Sequence, residues 1–342
     1  MKDFKLNLQL FANTVQTTLL SGLTPEMKTF YDMTLIDEAS AQLVHDQFGQ
    51  KRPIPQGGGK TIEFRKFSSL PKATTALTEG VTPDGKSLTV TSITATVAQY
   101  GDYITQSDVL ELTALDNTIL EATKLLGKQA GLTLDTIVRN VLVAGTNVSY
   151  CPKVSGGTET AVTSRSTMDT TSKLTVKEIQ KAVAKLRGQN APTINGKYVA
   201  IIHPYVAYDL MRDPEWIDAY KYANPTNLYE GEIGEIAGVR FVQTTEAKVW
   251  NDSTCPANGS SGHHPVFATL VLGEGAYGVT EVTGGGLQTI VKQKGSAGTA
   301  DPLDQRSSVG WKAIKTAKIL VENYMVRVEC MSSKFSASAT AN

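Results

Sequence analysis

The sequence has no excess of charge of either sign. Its 342 residues include 33 Lys and Arg residues and 33 Asp and Glu residues, so the formal net charge is zero. Proteins that grip nucleic acid are usually basic, because neutralising phosphates supplies much of their affinity. The zero charge therefore argues against tight nucleic-acid binding, although it is compatible with a protein that encloses nucleic acid. It also removes one barrier to self-association.

Cysteine is scarce. Only Cys151, Cys255 and Cys330 occur, and none belongs to a CxxC motif. Three cysteines cannot all pair within one chain, and this usage is typical of a protein kept in a reducing cytoplasm. We expect Cys330, which lies in a strand-like run, to be an ordinary buried thiol.

Long apolar runs are absent as well. The segment from Met1 to Ala12 interleaves polar and apolar residues, whereas a signal peptide needs an unbroken apolar stretch of about 7–15 residues. No window approaches the ~18 apolar residues of a membrane-spanning helix. We therefore expect neither a targeting signal nor a membrane partner. The 41% of apolar residues still suffices for a sizeable core, in one large domain or two.

Motifs of nucleophilic and metal-dependent hydrolases are missing, since the chain has no GxSxG and no HExxH. An alternative hydrolase site could combine His203 with a carboxylate-rich segment around Trp216. That segment contains Asp209, Asp213, Glu215 and Asp218. Spacing alone supplies no partner for a two-carboxylate mechanism, so a solvated helix end and a hydrogen-bonded histidine are the favoured interpretation. We predict no enzymatic activity, no catalytic residue and no cofactor.

Two further motifs are incomplete. The run Gly57 to Thr61 resembles the end of a phosphate-binding loop, but the required first glycine is replaced by Ile54 and the run leads into a strand. We interpret it as the flexible start of a hairpin. Cys255, His263 and His264 resemble a metal cluster that lacks a fourth ligand, so we predict a polar surface loop and no metal site.

The most informative segment present is a pair of extended runs around a polar, Gly/Pro-punctuated tip. The first run is Thr61 to Phe67, and the second extends from Leu88 to Tyr100. In the second run Ile93, Ala95 and Val97 alternate with polar or small residues, which puts apolar groups on one face only. A two-stranded hairpin alone is marginal in water. The hairpin must therefore lie against something, and another copy of the chain is one candidate.

A long amphipathic helix is predicted over Leu115–Ala144, because apolar residues recur there every three or four positions. Glu121, Lys124, Lys128, Asp135 and Arg139 lie off this stripe. Gly127 and Gly131 lie four positions apart inside the helix. They are either tolerated glycines or, in the interpretation that we prefer, the place where a strand or another helix crosses closely.

The remaining chain is of mixed α/β texture. We predict one helix between Pro25 and Phe48, one opened by a Thr175 to Glu178 capping box and closed by Gly188, and one over Tyr205–Arg212. Predicted strands are 198–202, 239–244, 266–272 and 287–293, followed by two adjacent strands over 311–317 and 319–330. Residues 146–173 are predicted to be a long loop, and residues 332–342 a frayed tail.

Three stretches resemble one known family. They are Asn7-Leu8-Gln9-Leu10-Phe11-Ala12, then Tyr198-Val199-Ala200-Ile201-Ile202-His203-Pro204 with Asp209-Leu210, and Asp301-Pro302-Leu303-Asp304-Gln305-Arg306 continuing to Val309-Gly310-Trp311-Lys312. Together with the order of elements, they resemble the major capsid proteins of tailed double-stranded DNA bacteriophages, which have the Hong Kong 97-like fold. Each stretch is weak alone, but the likeness spans nearly the whole chain.

The resemblance implies an α+β fold of six parts. They are an N-terminal arm (1–56), an extended hairpin loop (57–104), a peripheral domain with a long spine helix (105–189), an axial domain (190–300), return strands of the peripheral domain (301–331) and a flexible tail (332–342). It also implies that the extended loop contacts a neighbouring subunit. The candidate contact residues are Phe64, Lys66, Phe67, Lys72, Lys86 and Leu88.

The implied partners are copies of the chain itself, arranged as pentamers and hexamers of an icosahedral head, and a portal protein. Packaged double-stranded DNA is expected to be enclosed without sequence-specific binding. The chain lacks the long, charged, helix-rich N-terminal extension of some relatives, so we expect a separate scaffolding protein or assembly without one. The implied location is the virion, after assembly in the host cytoplasm. The alternatives are an encapsulin-like compartment shell and, less favoured, the soluble hydrolase.

Overall fold

The computed structural model describes residues 33–39, 43–67, 70–82, 84–113, 118–223, 234–258, 262–296, 301–334 and 339–342. The stretch Asn7 to Ala12, the predicted helix start at Pro25 and Leu115 lie outside these residues. The chain divides into two compact units. One comprises Met1–Ala39, Gly101–Ala130 and Leu287–Lys312, and the other Ser40–Tyr100, Gly131–Gly286 and Ala313–Asn342.

The helices are α1 (within residues 33–39), α2 (Asp108–Thr113), α3 (Thr118–Val143), α4 (Val176–Gly188), α5 (Pro204–Met211) and α6 (Pro214–Ala223). The strands are β1 (Gln50–Lys51), β2 (Thr61–Phe67), β3 (Val90–Thr96), β4 (Ala98–Ser107), β5 (Val148–Tyr150), β6 (Lys153–Ser155), β7 (Thr158–Thr160), β8 (Tyr198–Ile202), β9 (Glu235–Ile236), β10 (Val239–Gln243), β11 (Val249–Trp250), β12 (Val266–Leu272), β13 (Tyr277–Glu281), β14 (Gln288–Lys292), β15 (Arg306–Ile319) and β16 (Met325–Cys330). Short 3-10 turns cover Arg165–Thr167 and Glu322–Tyr324. Within the described part of the chain, no helix has the length and apolar character needed to cross a membrane.

In the first unit, the N-terminal half of α3 is crossed by α1. A Cβ atom added at Gly127 would lie 2.9 Å from the carbonyl oxygen of Leu35 and 3.0 Å from Cβ of Glu38. The prediction of a close crossing at Gly127 is therefore confirmed, because only glycine leaves room for the backbone of α1. In the same unit, β14 pairs antiparallel with the first half of β15, from Gln288↔Lys312 to Lys292↔Ser308.

The second unit is built on a seven-stranded sheet of order β5-β16-β12-β8-β10-β9, with β11 paired to β12. One face of this sheet packs against α4, α5 and α6. The other face packs against the C-terminal half of α3, against β13 and against the second half of β15. Every residue of β8 and β12 is buried, as expected for strands covered on both faces.

Most predicted elements are confirmed. The buried strands β8 and β12 have the predicted bounds, and β10 and β14 differ from the prediction only at their ends. The long helix spans Thr118–Val143, and Ala122, Leu126, Ala130 and Leu134 of its predicted stripe are buried. The helix predicted after Thr175 is α4, which ends at Gly188 as expected.

Three local predictions were wrong. The second extended run is two strands, because the chain passes from β3 to β4 at Val97 and the two strands enter different sheets. Residues 146–173 contain β5, β6, β7 and a 3-10 turn. The two strands expected over 311–317 and 319–330 are not neighbours. The first is part of β15, and the N–H groups of Leu320 and Val321 both donate to the carbonyl of Ala276, which ends β15 before the chain enters the other sheet as β16.

Candidate assembly surface

The extended loop carries a regular two-stranded base. β2 and β3 pair antiparallel from Thr61↔Thr96 to Phe67↔Val90, and the N–H of Val97 donates to the carbonyl of Lys60 at 2.9 Å. These strands form a two-stranded sheet of their own. Beyond the pair Phe67↔Val90, the described residues 70–82 and 84–89 contain no helix or strand. We call these residues the loop tip.

One side chain anchors the base of the loop. Phe64 is only 4% exposed, and a Cβ added at Gly278 in β13 would lie 2.7 Å from its ring atoms Cε1 and Cζ. The ring therefore lies directly over the glycine backbone of β13. A glycine inside a strand often marks such a close approach, but the partner of Gly278 could not be read from the sequence.

The loop tip and the adjoining strand ends expose several large apolar side chains among polar residues. Leu77 is 77% exposed and Leu88 is 66% exposed. The other large exposed apolar side chains from the end of β2 to the start of β3 are Phe67, Leu70, Val81 and Val90. Single exposed apolar residues are ordinary in soluble proteins. Six in one short stretch of chain are typical of a surface that is covered in an assembly.

The predicted contact residues divide into two groups. Phe64 packs inside its own subunit, where it fixes the base of the loop. The exposed residues are Lys66, Phe67, Lys72, Lys86 and Leu88. Lys66 lines a cavity of about 130 Å³ beside the base of the loop, together with Arg52 and Arg65. Phe64 and Ile93 contribute apolar surface to the same cavity. The cavity is therefore lined by three cationic side chains and an apolar wall.

A buried set of hydrogen bonds holds the segment before the loop against α3. The carboxylate of Asp135 accepts hydrogen bonds from the backbone N–H groups of Val44 and His45 at 2.8 and 2.7 Å. Nδ1 of His45 lies 2.6 Å from the same carboxylate. The hydroxyl of Tyr277 donates to the carbonyl of His45, and burial raises the pKa of Tyr277. The segment that contains Val44 and His45 thereby joins α3 to β13.

Asp135 and Arg139 correct the sequence interpretation of α3. Both lie off the predicted apolar stripe, yet both are buried. Arg139 donates to the carbonyl of Glu246 at 2.8 Å and lies 3.5 Å from its carboxylate. Burial lowers the pKa of the Arg139 guanidinium, and Glu246 opposes that effect. Their partners are distant in the chain, so helical periodicity alone could not reveal them.

A second buried network ties β16 to its surroundings. Glu329 is fully buried and accepts from Nε and Nη2 of Arg165 at 2.7 and 2.8 Å. It also accepts from Nε of Arg327 at 2.9 Å, and the guanidinium of Arg165 stacks on Trp250 at 3.6 Å from the ring centroid. Arg327 donates to the carbonyls of Val143 and Gly145 at the end of α3. This network fixes the C-terminal end of α3 on the sheet.

Residues of the alternative hydrolase site have structural roles. His203 accepts from the N–H of Tyr205 at 3.2 Å and caps α5, and burial lowers its pKa to about 4. Asp209 accepts from Ser332 and Ser333. Asp213 accepts from the N–H of Val176 at 2.9 Å. Asp213 therefore caps α4, and the predicted side-chain cap from Thr175 is not formed.

Two residues of the alternative metal cluster, Cys255 and His263, meet through a backbone contact. Nδ1 of His263 lies 3.1 Å from the carbonyl oxygen of Cys255. This ring nitrogen is therefore in hydrogen-bond contact with the backbone. Among the described residues, no group of three or more His, Cys, Asp or Glu side chains is placed to hold a metal ion. The run Gly57 to Thr61 leads into β2, as predicted, and Gly57 and Gly59 have positive φ angles.

Comparison with known proteins adds a family and a fold. The sequence matches the family described as phage capsid protein over residues 5–296. No curated protein matches the sequence at a significant level.

Solved phage capsids are similar in structure. The capsid of Ralstonia phage GP4 has a TM-score of 0.63 and 13% identity, covering 97% of this chain and 98% of that chain. The capsid asymmetric unit of cyanophage Pam1 has a TM-score of 0.62 and 13% identity, covering 98% of this chain and 100% of that chain. The capsid of cyanophage P-SCSP1u has a TM-score of 0.62 and 15% identity, covering 84% of this chain and 87% of that chain. At such identities the likeness establishes the fold.

Proposed function

The chain belongs to the phage capsid protein family, and on that premise we propose that its extended loop joins subunits of the head shell by covering a neighbouring copy. The α+β fold is Hong Kong 97-like, and the protein is a major capsid protein that forms the shell. The contact made by the loop is our proposal, and the exposed apolar residues of the loop tip are the observation that supports it.

The loop is anchored at its base, and apolar side chains at its tip are exposed. Phe64 fixes its base against Gly278, so the two strands leave the subunit in a defined direction. Beyond them, Leu77, Val81 and Leu88 are exposed. Covering one such side chain contributes about 2 kcal/mol, and each contact recurs around the shell. Many weak copies of one contact can therefore close a symmetric assembly.

The cavity at the base of the loop supplies a second point of attachment. Arg52, Arg65 and Lys66 line it, and an acidic side chain of the neighbouring copy would suit three cations beside an apolar wall. Charge complementarity of this kind sets orientation more than affinity. It would fix the register of the loop on its neighbour.

The remaining features of the assembly are proposed from the family resemblance. We assign the N-terminal arm, extended loop, peripheral domain, axial domain, return strands and tail to the boundaries predicted above. Subunits would form pentamers and hexamers in the host cytoplasm, with a portal protein and either a separate scaffolding protein or none. The zero net charge suits a wall that encloses double-stranded DNA without gripping it. A compartment shell with an enzyme cargo is the alternative, and the phage capsid family match favours the head.

Two variants test the loop contact. Deletion of Lys72–Lys86 removes most of the loop tip, and the triple change Leu77→Ser, Val81→Ser and Leu88→Ser keeps its length but removes its apolar groups. Both variants should keep the circular dichroism spectrum and melting temperature of the subunit, because these residues are exposed. Both should fail to form shells in electron micrographs.

A matched control is Val154→Ser, which changes an exposed apolar residue of the separate β6–β7 hairpin. It should assemble like the parent. Normal shells from the deletion variant would contradict the proposed contact. If the triple variant forms shells and the deletion variant does not, the contact depends on the length of the loop and not on its apolar surface.

A further inference from the structure

Two of the three cysteines meet at the end of one strand pair. β5 and β16 are parallel, with Tyr150 opposite Glu329, and the N–H of Cys151 donates to the carbonyl of Glu329 at 3.0 Å. One residue further along, this register places Cys151 opposite Cys330. Neighbouring strands lie about 4.8 Å apart and paired side chains of parallel strands share a face. That spacing falls within the ~4.4–6.8 Å between Cα atoms that a disulfide requires.

The two side chains also share one buried environment. Cys151 and Cys330 belong to the same core cluster and are fully buried, and both are free thiols. The neighbouring Cys330 thiol and burial raise the pKa of Cys151, and the Cys330 thiol lies 3.9 Å from the carbonyl oxygen of Phe267. Cys255 lies in a different cluster, with Met168, Val266 and Met331, so it is not part of this pair.

We propose that Cys151 and Cys330 are a redox pair that is a dithiol in the newly made subunit and becomes an internal disulfide in an oxidising medium. The chemistry needs only the chain and a small-molecule disulfide as oxidant. The biological timing rests on the proposed function, because a head shell is made in a reducing cell interior and released from it.

The reaction is a pair of thiol–disulfide exchanges. The thiolate of one cysteine attacks the reagent disulfide, forms a mixed disulfide and releases one small thiolate. The second cysteine then attacks the protein sulfur of the mixed disulfide and releases the second small thiolate. The two protein thiols lose two electrons and two protons, and the reagent takes them up to become two small thiols.

Access to the buried sulfurs comes from the position of β5. It is a three-residue strand at the edge of the sheet, and short edge strands open locally more readily than central ones. We expect slow oxidation, because the raised pKa leaves little thiolate at Cys151. The same burial would shield the finished disulfide from reduction.

The disulfide would lock two distant parts of the chain. β5 follows α3, and β16 is the last strand along the chain, so the bond closes a loop of about half of the chain. Closing a long loop restricts the unfolded ensemble and stabilises the native state. The melting temperature of the oxidised subunit should be higher by roughly 5 °C.

The test uses the purified, unassembled subunit, so it does not depend on shell formation. Native protein is incubated with oxidised glutathione, and free thiols are counted after denaturation in an alkylating agent. The count should fall from three to one, and mass spectrometry should find one peptide pair joined through Cys151 and Cys330. Cys255→Ser should fall from two thiols to none, with the same linked pair.

Cys151→Ala removes the pair and should keep both remaining thiols. If that variant does not fold, the linked peptide from the parent chain still decides the question. Three remaining thiols, a stable mixed disulfide with glutathione, a link involving Cys255 or oxidation only in denaturant would each overturn the proposal. A subunit that assembles but does not oxidise would overturn this inference and leave the proposed function standing.

Discussion

The strands β3 and β12 have the same length and opposite surroundings. All seven residues of β12 are buried, whereas in β3 only Ala95 is buried. β12 pairs with strands on both sides and is covered on both faces, while among the described strands β3 pairs with β2 alone. The subunit therefore covers β12 with its own residues and leaves most of β3 exposed, which supports our proposal that a neighbouring copy completes the loop. Changes to the sheet should therefore act on subunit stability, and changes to the loop on assembly.

The largest loss of stability is expected from Glu329→Ala. The change leaves Arg165 and Arg327 without their buried partner, and breaking a buried ion pair typically costs about 3–5 kcal/mol. Urea unfolding of the subunit measures it. Glu235→Ala is the matched control, because the Lys197–Glu235 pair is about half exposed, and it should cost under ~1 kcal/mol. Equal losses in the two variants would contradict the role assigned to the Glu329 network.

The next largest effect is expected where the loop meets the sheet. Phe64→Ala should cost about 3 kcal/mol, because it opens a cavity over β13, and limited proteolysis should show earlier cleavage within the loop. Gly278→Ala should act in the same direction by about 1–3 kcal/mol, since the new methyl group would collide with the Phe64 ring. Gly286→Ala meets no atom within 4 Å and should be near neutral. A loop as protease-resistant in Phe64→Ala as in the parent would show that the anchor lies elsewhere.

A smaller effect should appear as a pH dependence at His203. Burial lowers its folded-state pKa from 6.5 to about 4, so the unfolded chain binds more protons between these values. Stability should therefore fall as the pH drops from 6.5 toward 4, by at most about 1.4 kcal/mol per pH unit. His203→Asn keeps a hydrogen-bond acceptor for the cap and removes the titration. Its unfolding free energy should change less over this range, and an identical pH profile would exclude His203 as the cause.

The smallest effect on stability is expected in the loop tip. Leu77→Ser changes a side chain that is already in water, so the unfolding free energy should stay within ~0.5 kcal/mol of the parent. Assembly yield, measured by sedimentation, should nevertheless fall below that of Val154→Ser. A yield equal to that control would show that Leu77 is not covered in the shell.

Local patterns predicted much of this fold, and partners distant in the chain account for most of what they missed. The bounds of β8 and β12 follow from continuous apolar runs, and the stripe of α3 follows from its period. Helical periodicity assigns the charged Asp135 to the polar side of α3. Its partner, the backbone of His45, is 90 residues away in the sequence, so the period alone could not indicate that Asp135 is buried. For the same reason the pairing of Cys151 with Cys330 and the packing of Phe64 on Gly278 left no local signal.

The candidate surface was only partly predictable. The polar tip and the poor apolar face of Thr-rich β3 indicated an incomplete hairpin. Alternation along β2 places Phe64 and Phe67, three positions apart, on opposite faces, but it does not indicate which of the two faces is covered. What covers a side chain depends on tertiary packing that the alternation does not contain.

Hydrogen exchange of residues 70–89 in the dilute subunit and in the assembled shell tests the central claim most directly. We expect fast exchange throughout the loop tip in the subunit, slow exchange in the shell, and unchanged slow exchange in β8 and β12. Protection of the loop tip in the isolated subunit, equal to that in the shell, would contradict a loop completed by neighbouring copies.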